Sequence, residues 1–154
     1  SKNYYKNIKK LNGLYIKLSN NRRYYKNKIT KEITENYDII STESLTISKM
    51  IMDKEHRLSK AISDATFNEI LEQLEYKAKE RGKYFYKINP YYPSSQICSV
   101  CNNIDKKYKN LDERMYECNH CHSKLDRDFN ASVNIMFEGL KLHIMAPRKN
   151  LSTR

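Results

Sequence analysis

The chain has 154 residues, enough for one small domain with an appendage, and its 39% hydrophobic content allows a core of modest size. Its net charge is +11, and residues 1–36 hold ten Lys and Arg against Glu32 and Glu35, a net charge of +8. The sequence contains no run of about 18 apolar residues and no signal peptide, so we expect a cytoplasmic protein without a membrane-spanning segment.

Residues 4–36 are predicted to form one long helix, because apolar side chains recur there in steps of three, four or seven. These apolar positions are Ile8, Leu11, Leu14, Leu18, Tyr25, Ile29 and Ile33. The high positive charge of the segment indicates a polyanionic partner. Nucleic acid is the first candidate, a membrane surface is the second, and a solvated helix face without a partner is the alternative. The predicted nucleic-acid contacts are Lys9, Lys10, Lys17, Arg22, Arg23, Lys26 and Lys28.

Two strands are predicted over residues 37–43 and 83–88, with Glu43 at the C-terminal end of the first. Residues 44–53 are predicted to connect the first strand to a helical segment over residues 55–81. A strand, a helix and a second strand in this order predict a parallel crossover, as in an α/β sheet.

The helical segment between the strands is predicted to consist of two pieces. Ser63 or Asp64 is the expected N-cap of the second piece, and Gly82 is the expected stop signal. The predicted buried stripe of the second piece is Ile70, Leu71, Leu74 and Ala78.

The cysteines form two Cys-x2-Cys pairs that sixteen residues separate: Cys98 with Cys101, and Cys118 with Cys121. This spacing is typical of a zinc ribbon, in which four thiolates surround one structural Zn²⁺ ion. We therefore predict a zinc ribbon over residues 94–125. A pair of disulfides is the alternative, and it is disfavoured because disulfides are rare inside cells.

The two residues that follow the cysteine pairs, Asn102 and His122, stand where zinc ribbons often have glycine with a positive φ. Asn and His are enriched among the other residue types with positive φ, so both fit this position. His120 and His122 also flank Cys121 and could replace a thiolate as ligands. Since four thiolates already complete a structural site, we expect both histidines to be surface residues.

A final helix is predicted over residues 129–140, followed by a flexible basic tail over residues 141–154. The apolar side of this helix comprises Phe129, Val133, Met136, Phe137 and Leu140. Taken alone, Asp128 reads as the N-cap of the helix and Glu43 as an ordinary exposed acid.

Three segments together closely resemble the C-terminal signature of the TnpB/OrfB family, which is related to the type V CRISPR effectors: Ser94–Cys101, Arg114–Cys118 and Asp126–Ala131. The resemblance extends upstream to Tyr37–Leu45 and to Leu58–Gly82, so it covers most of the chain.

This resemblance implies a partial RuvC-like nuclease domain of the RNase H fold, formed by residues 1–93 and 126–140, into which the zinc ribbon is inserted. Members of the family are RNA-guided DNA endonucleases whose three acidic residues hold Mg²⁺. By motif, Glu43 matches the second acid and Asp128 the third, whereas Asp126 has a supporting role.

The family's first catalytic Asp lies upstream of the basic helix, and no Asp precedes Asp38 in this sequence. We therefore expect the C-terminal part of a DNA- and guide-RNA-binding nuclease, inactive without an N-terminal portion and without Mg²⁺. A non-catalytic zinc-ribbon remnant that binds DNA or RNA is the main alternative, and a structural zinc-ribbon adaptor is a weaker one.

Overall fold

The computed structural model describes residues 2–44, 57–109 and 113–146, and these residues form three α-helices and two two-stranded sheets. They fall into two compact units, one made of the first two helices and the other of the strands and the third helix. The predicted region 1–93 therefore contributes to both units. No described helix contains an apolar stretch long enough to cross a membrane. The elements are α1 Lys2–Asn36, β1 Ile39–Glu43, α2 Arg57–Glu80, β2 Tyr84–Ile88, β3 Met115–Glu117, β4 Lys124–Asp126 and α3 Arg127–Met145.

The contact between α1 and α2 is largely polar. Thr30 and Thr34 are the buried residues of α1. Lys77 of α2 donates to Thr30 Oγ1 at 2.6 Å, and Arg81, just beyond α2, donates to Thr34 Oγ1 at 2.8 Å. The apolar stripe predicted on α1 is not its buried side, since six of its seven members are exposed and Ile33 is half-buried. The periodicity identified the helix correctly but not the side that α2 covers.

The helix α2 runs without interruption from Arg57 to Glu80, so the predicted division at Ser63 or Asp64 is wrong. Its predicted stripe is confirmed, because Leu74 and Ala78 are buried and the other two members are half-buried. The predicted stop is also confirmed. Gly82 has a φ of 67°, and the next amide, that of Lys83, donates back to the carbonyl of Ala78 at 2.8 Å. Apart from Ser44, the predicted connection over residues 44–53 lies outside the described residues.

The second unit begins with the parallel pair β1 and β2, which align in register from Ile39 opposite Tyr84 to Glu43 opposite Ile88. This confirms the predicted parallel crossover. The helix α3 packs against both strands. At Gly139 the helix approaches β1 so closely that an added Cβ would lie 2.5 Å from Ser41 Cβ.

The helix α3 is longer than predicted, since it begins at Arg127 and continues five residues into the predicted tail. Its buried side is also different from the predicted one. Asn130, Asn134 and Gly139 are buried. Of the predicted apolar side, Val133 and Leu140 are half-buried, whereas Phe129 and Phe137 are 58% and 55% exposed. The buried side is polar because both asparagine amides bind backbone carbonyls of the ribbon. In the part of the chain that the structure describes, Phe129, Met136 and Phe137 of the apolar side of α3 are therefore exposed.

The close approach of α3 to β1 at Gly139 leads to a prediction about stability. We expect Gly139→Ala to lower the free energy of unfolding by about 1–3 kcal/mol, because the new methyl group overlaps Ser41. Gly13→Ala is the matched control, since Gly13 lies in exposed α1 with no atom near its added Cβ. That change should stabilise α1 by about 0.5–1 kcal/mol. Urea unfolding followed by circular dichroism measures both, and equal stability of Gly139→Ala and the wild type would contradict the predicted overlap.

Candidate functional site

Each cysteine pair forms a tight turn, called here the first knuckle (Cys98–Cys101) and the second knuckle (Cys118–Cys121). The two turns have the same backbone hydrogen bonds. The amide of Asn102 donates to the carbonyl of Cys98 at 2.8 Å, and that of His122 donates to the carbonyl of Cys118 at 3.0 Å. Asn102 and His122 have φ values of 62° and 57°. The predicted positive φ at both positions is therefore confirmed.

The four sulfur atoms converge on one point. All four lie within 4.8 Å of one another, with Cys98 Sγ 3.7 Å from Cys121 Sγ and Cys101 Sγ 3.5 Å from Cys118 Sγ. A tetrahedron of sulfur ligands about 2.3 Å from a zinc ion has edges of about 3.8 Å. The four thiols are free, which disagrees with the disulfide alternative. The donor set and its spacing therefore fit a metal ion such as zinc.

The ribbon has a small core that is built from tyrosines. Tyr108 and Tyr116 are buried beside the cysteines, and their ring centroids lie 4.3 Å apart. The hydroxyl of Tyr108 donates to the carbonyl of Glu117, and that of Tyr116 donates to the carbonyl of Gln96. Burial raises the pKa of Tyr116. These rings supply apolar contact while their hydroxyls satisfy backbone groups that would otherwise be buried without a partner.

Sequence reasoning missed a polar residue beside the sulfur atoms. The hydroxyl of Ser123 lies 3.2 Å from Cys121 Sγ and 3.4 Å from Cys98 Sγ. Its hydrogen bond lowers the pKa of Cys121 to about 6, which favours the thiolate form. A thiolate is the form that binds metal. The sequence shows a serine two residues after Cys121, and this short spacing could have indicated a hydroxyl beside the sulfur atoms.

The two histidines remain at the surface. His120 and His122 are both exposed, whereas Cys98 and Cys118 are buried. Among the described residues, the four cysteines are the group of metal-binding side chains found close together. This agrees with the expectation that neither histidine replaces a thiolate.

Glu43 lies in a polar pocket at the C-terminal end of the parallel strands. The pocket has a volume of about 270 Å³ and is lined by Glu43, Ser44 and the segment 89–96. The hydroxyl of Ser94 donates to Glu43 Oε1 at 2.6 Å, and that of Ser44 donates to the carbonyl of Ile88 at 2.7 Å. The C-terminal edge of parallel strands is where ligands of α/β proteins commonly bind. Glu43 is therefore not an ordinary exposed acid.

Asp128 is not the N-cap of α3. The cap is Asp126, whose carboxylate accepts hydrogen bonds from the amides of Asp128 and Phe129. Asp128 lies in the first turn with its side chain 85% exposed, and Arg114 lies 4.0 Å away. An exposed ion pair at this distance contributes little stability. The helix-cap interpretation of Asp128 is thus wrong, and its carboxylate is available for another role.

The predicted nucleic-acid contacts on α1 fall into two groups. Lys26 is half-buried and pairs with Glu69 of α2, so its charge is already engaged. The other six side chains are exposed, namely Lys9, Lys10, Lys17, Arg22, Arg23 and Lys28.

Together these features define a protein class: a small α/β unit that carries a four-thiolate ribbon between its second strand and its last helix. The family described as Cas12f1-like, TNB domain matches residues 67–135. A protein of Streptomyces pristinaespiralis, named as a candidate RNA-guided DNA endonuclease, is 30% identical over 86% of this chain and 32% of its own length. The CRISPR-associated endodeoxyribonuclease Cas12f1 of Sulfoacidibacillus thermotolerans is 31% identical over 84% of this chain and 30% of its own length.

These matches support a TnpB-family protein, which confirms the resemblance identified in the sequence. The chain spans about a third of the length of these relatives. A cryo-EM structure of a Cas12f1–sgRNA–target DNA complex is similar in fold, with a TM-score of 0.58 and 23% identity over 79% of this chain and 35% of that chain.

The cysteine geometry makes a prediction about metal content. We expect the purified chain to hold one metal ion per molecule by elemental analysis, and Cys118→Ser to lose most of it because a ligand is removed. His122→Asn is the matched control, since Asn tolerates the φ of 57° but has no imidazole. Its metal content should equal that of the wild type. Metal-free wild-type protein, or equal losses in both variants, would contradict the four-thiolate site.

Proposed function

We propose that this chain is the C-terminal part of a RuvC-like nuclease domain with an inserted zinc ribbon, and that the complete protein is an RNA-guided DNA endonuclease. One observation carries the proposal: α3, whose first turn contains Asp128, packs against β1, whose last residue is Glu43. Carboxylates on adjoining elements are the oxygen ligands that Mg²⁺ takes from proteins. The named activities of the Streptomyces pristinaespiralis and Cas12f1 relatives support the same conclusion.

In this proposal Glu43 and Asp128 hold Mg²⁺ together with an acid from outside the chain. Bound Mg²⁺ would supply the chemistry of phosphodiester hydrolysis, in which a metal activates water and stabilises the leaving oxygen. Ser94 would orient Glu43, and the N-cap Asp126 would orient the first turn of α3. Among the described residues neither acid belongs to a group of three or more metal-type ligands. We therefore expect the isolated chain to be inactive.

Two surfaces support a role for the N-terminal portion of the same protein. A two-stranded sheet is marginal by itself, and among the described strands β1 pairs with β2 alone, which leaves its other edge for further strands. The apolar side of α3 is also exposed at Phe129, Met136 and Phe137. We propose that the N-terminal portion adds strands beside β1, covers this side of α3 and contributes the first acid.

The proposed metal of the ribbon is zinc, in a structural role. Four thiolates leave no open coordination position, so this ion would hold the fold and take no part in the reaction. Tyr108 and Tyr116 form too small a core to fold a segment of about 30 residues unaided. Zinc would supply the remaining folding free energy, which is about 10–16 kcal/mol in zinc-finger peptides.

The exposed basic side chains of α1 support a binding role for DNA or guide RNA. Such contacts act on the phosphate backbone, so they provide affinity with little sequence preference. A non-catalytic binding module is the second candidate function. It is favoured because neither Glu43 nor Asp128 belongs to a group of three or more metal-type ligands among the described residues. The two candidates differ in whether the protein cleaves DNA once its N-terminal portion is present.

The binding proposal predicts a salt-dependent affinity for nucleic acid. Replacing Lys17, Arg22 and Arg23 by Gln should reduce the slope of log K against log salt by about 2–3, because each lost phosphate contact removes nearly one released counterion. Lys124→Gln is the control, since Lys124 already pairs with Glu117 at 3.2 Å. Fluorescence anisotropy at several salt concentrations measures both slopes. An affinity that does not vary with salt would contradict the electrostatic account.

The catalytic proposal predicts opposite results for two neighbouring carboxylates. In the protein completed with its N-terminal portion, Asp128→Asn should abolish Mg²⁺-dependent cleavage of a labelled DNA while DNA binding persists. Asp126→Asn is the matched control, because Asn is as good an N-cap as Asp. It should therefore retain most of the activity. Equal cleavage by Asp128→Asn and the wild type would remove Asp128 from the mechanism, and no cleavage by the completed wild type would favour the binding module.

A further inference from the structure

Ser94 connects the carboxylate of Glu43 to the rest of the second unit. Its side-chain hydroxyl donates to Glu43 Oε1 at 2.6 Å, and Ser94 is 6% exposed. Hydrogen bonds from a neutral donor to a charged acceptor are shorter and stronger than neutral ones. The serine donates to Oε1 and not to Oε2. A glutamate side chain has several rotatable bonds, and this contact selects one of its conformations.

The backbone amide and the backbone carbonyl of Ser94 each make a hydrogen bond. Its amide donates to the carbonyl of Tyr92 at 2.8 Å, and its carbonyl accepts from Asn134 Nδ2 at 2.8 Å. Asn134 lies on α3 and is 3% exposed. The position of the Ser94 hydroxyl is therefore set by a buried side chain on a regular helix.

Asn134 and a second buried asparagine of α3, Asn130, also bind the backbone at the start of the first knuckle. Asn134 and Asn130 each donate from Nδ2 to the carbonyl of Ile97 at 2.7 Å, and Asn130 Oδ1 accepts from the amide of Ser99 at 2.8 Å. Ile97 and Ser99 are the neighbours of the cysteine Cys98. A continuous set of hydrogen bonds thus runs from the first knuckle through α3 to Ser94 and Glu43.

We propose that Ser94 is the positioning residue of Glu43, and that Asn134 fixes Ser94 while it also fixes Ile97, the residue that leads into the first knuckle. The metal-stabilised ribbon then sets the orientation of a carboxylate that lies outside it. This inference rests on the proposed function, because it assigns Glu43 to a divalent cation. It goes further, because it gives the ribbon a role in orienting Glu43 for the cation, with Ser94 as the residue that connects the two.

The test uses Mn²⁺ as the probe on the metal-loaded protein completed with its N-terminal portion, which supplies the remaining acid of the proposed site. Free Mn²⁺ is followed by electron paramagnetic resonance. Ser94→Ala should raise the dissociation constant by about 10-fold or more, as removal of partners that orient metal ligands does. Ser94→Thr keeps the hydroxyl and should restore the wild-type affinity. Ser132→Ala is the matched control, because the hydroxyl of Ser132 is exposed and bonds its own helix.

A second measurement follows Mg²⁺-dependent DNA cleavage by the completed nuclease. Ser94→Ala should raise the Mg²⁺ concentration for half-maximal cleavage by about 10-fold or more, with unchanged DNA affinity and unchanged metal content of the ribbon. A role in folding alone would lower stability and ribbon metal instead. Wild-type Mn²⁺ affinity in Ser94→Ala, or Mn²⁺ binding that Glu43→Gln leaves intact, would overturn the inference. Failure of the completed wild type to cleave DNA would refute the proposed function separately, since the Mn²⁺ measurement does not depend on cleavage.

Discussion

Two asparagine amides on α3 are the interaction on which the second unit depends. Asn130 and Asn134 are buried and donate to carbonyls in the segment that leads into the first knuckle. A buried carbonyl without a donor costs about 1–3 kcal/mol, so these contacts strongly favour one placement of the ribbon. An apolar side chain in place of Asn134 would remove the donor to the Ser94 carbonyl, and one in place of Asn130 would remove the acceptor of the Ser99 amide. This requirement explains why the buried side of α3 is polar.

The same requirement determines where the apolar side of α3 points. Because the polar side faces the ribbon backbone, Phe129 and Phe137 project away from it and are more than half exposed. A large exposed apolar surface commonly marks an interface. The chain spans about a third of its relatives' length, and in the proposed nuclease this side and the second edge of β1 are where the remaining strands pack.

The two units use polar contacts differently. In the first unit, cationic side chains at the end of α2 donate to threonine hydroxyls of α1, so the pair of helices is held with few large apolar contacts. In the second unit, tyrosines provide both apolar area and hydroxyl donors inside the ribbon. Both solutions suit a chain with 39% hydrophobic residues, because these buried threonine and tyrosine hydroxyls also make hydrogen bonds.

Local patterns in the sequence determined the elements and the cysteine cluster. A Cys-x2-Cys turn brings two sulfurs together through its own backbone, and the positive φ of Asn102 and His122 follows from that turn. Gly82 ended its helix for an equally local reason. Only the tertiary structure decided which sides are buried and how the acids are used. Asp126 rather than Asp128 caps α3, and Ser94 reaches Glu43 across 51 residues of sequence. Periodicity shows that a helix has an apolar side, but the partner's hydrogen-bonding groups decide whether that side or a polar one faces inward.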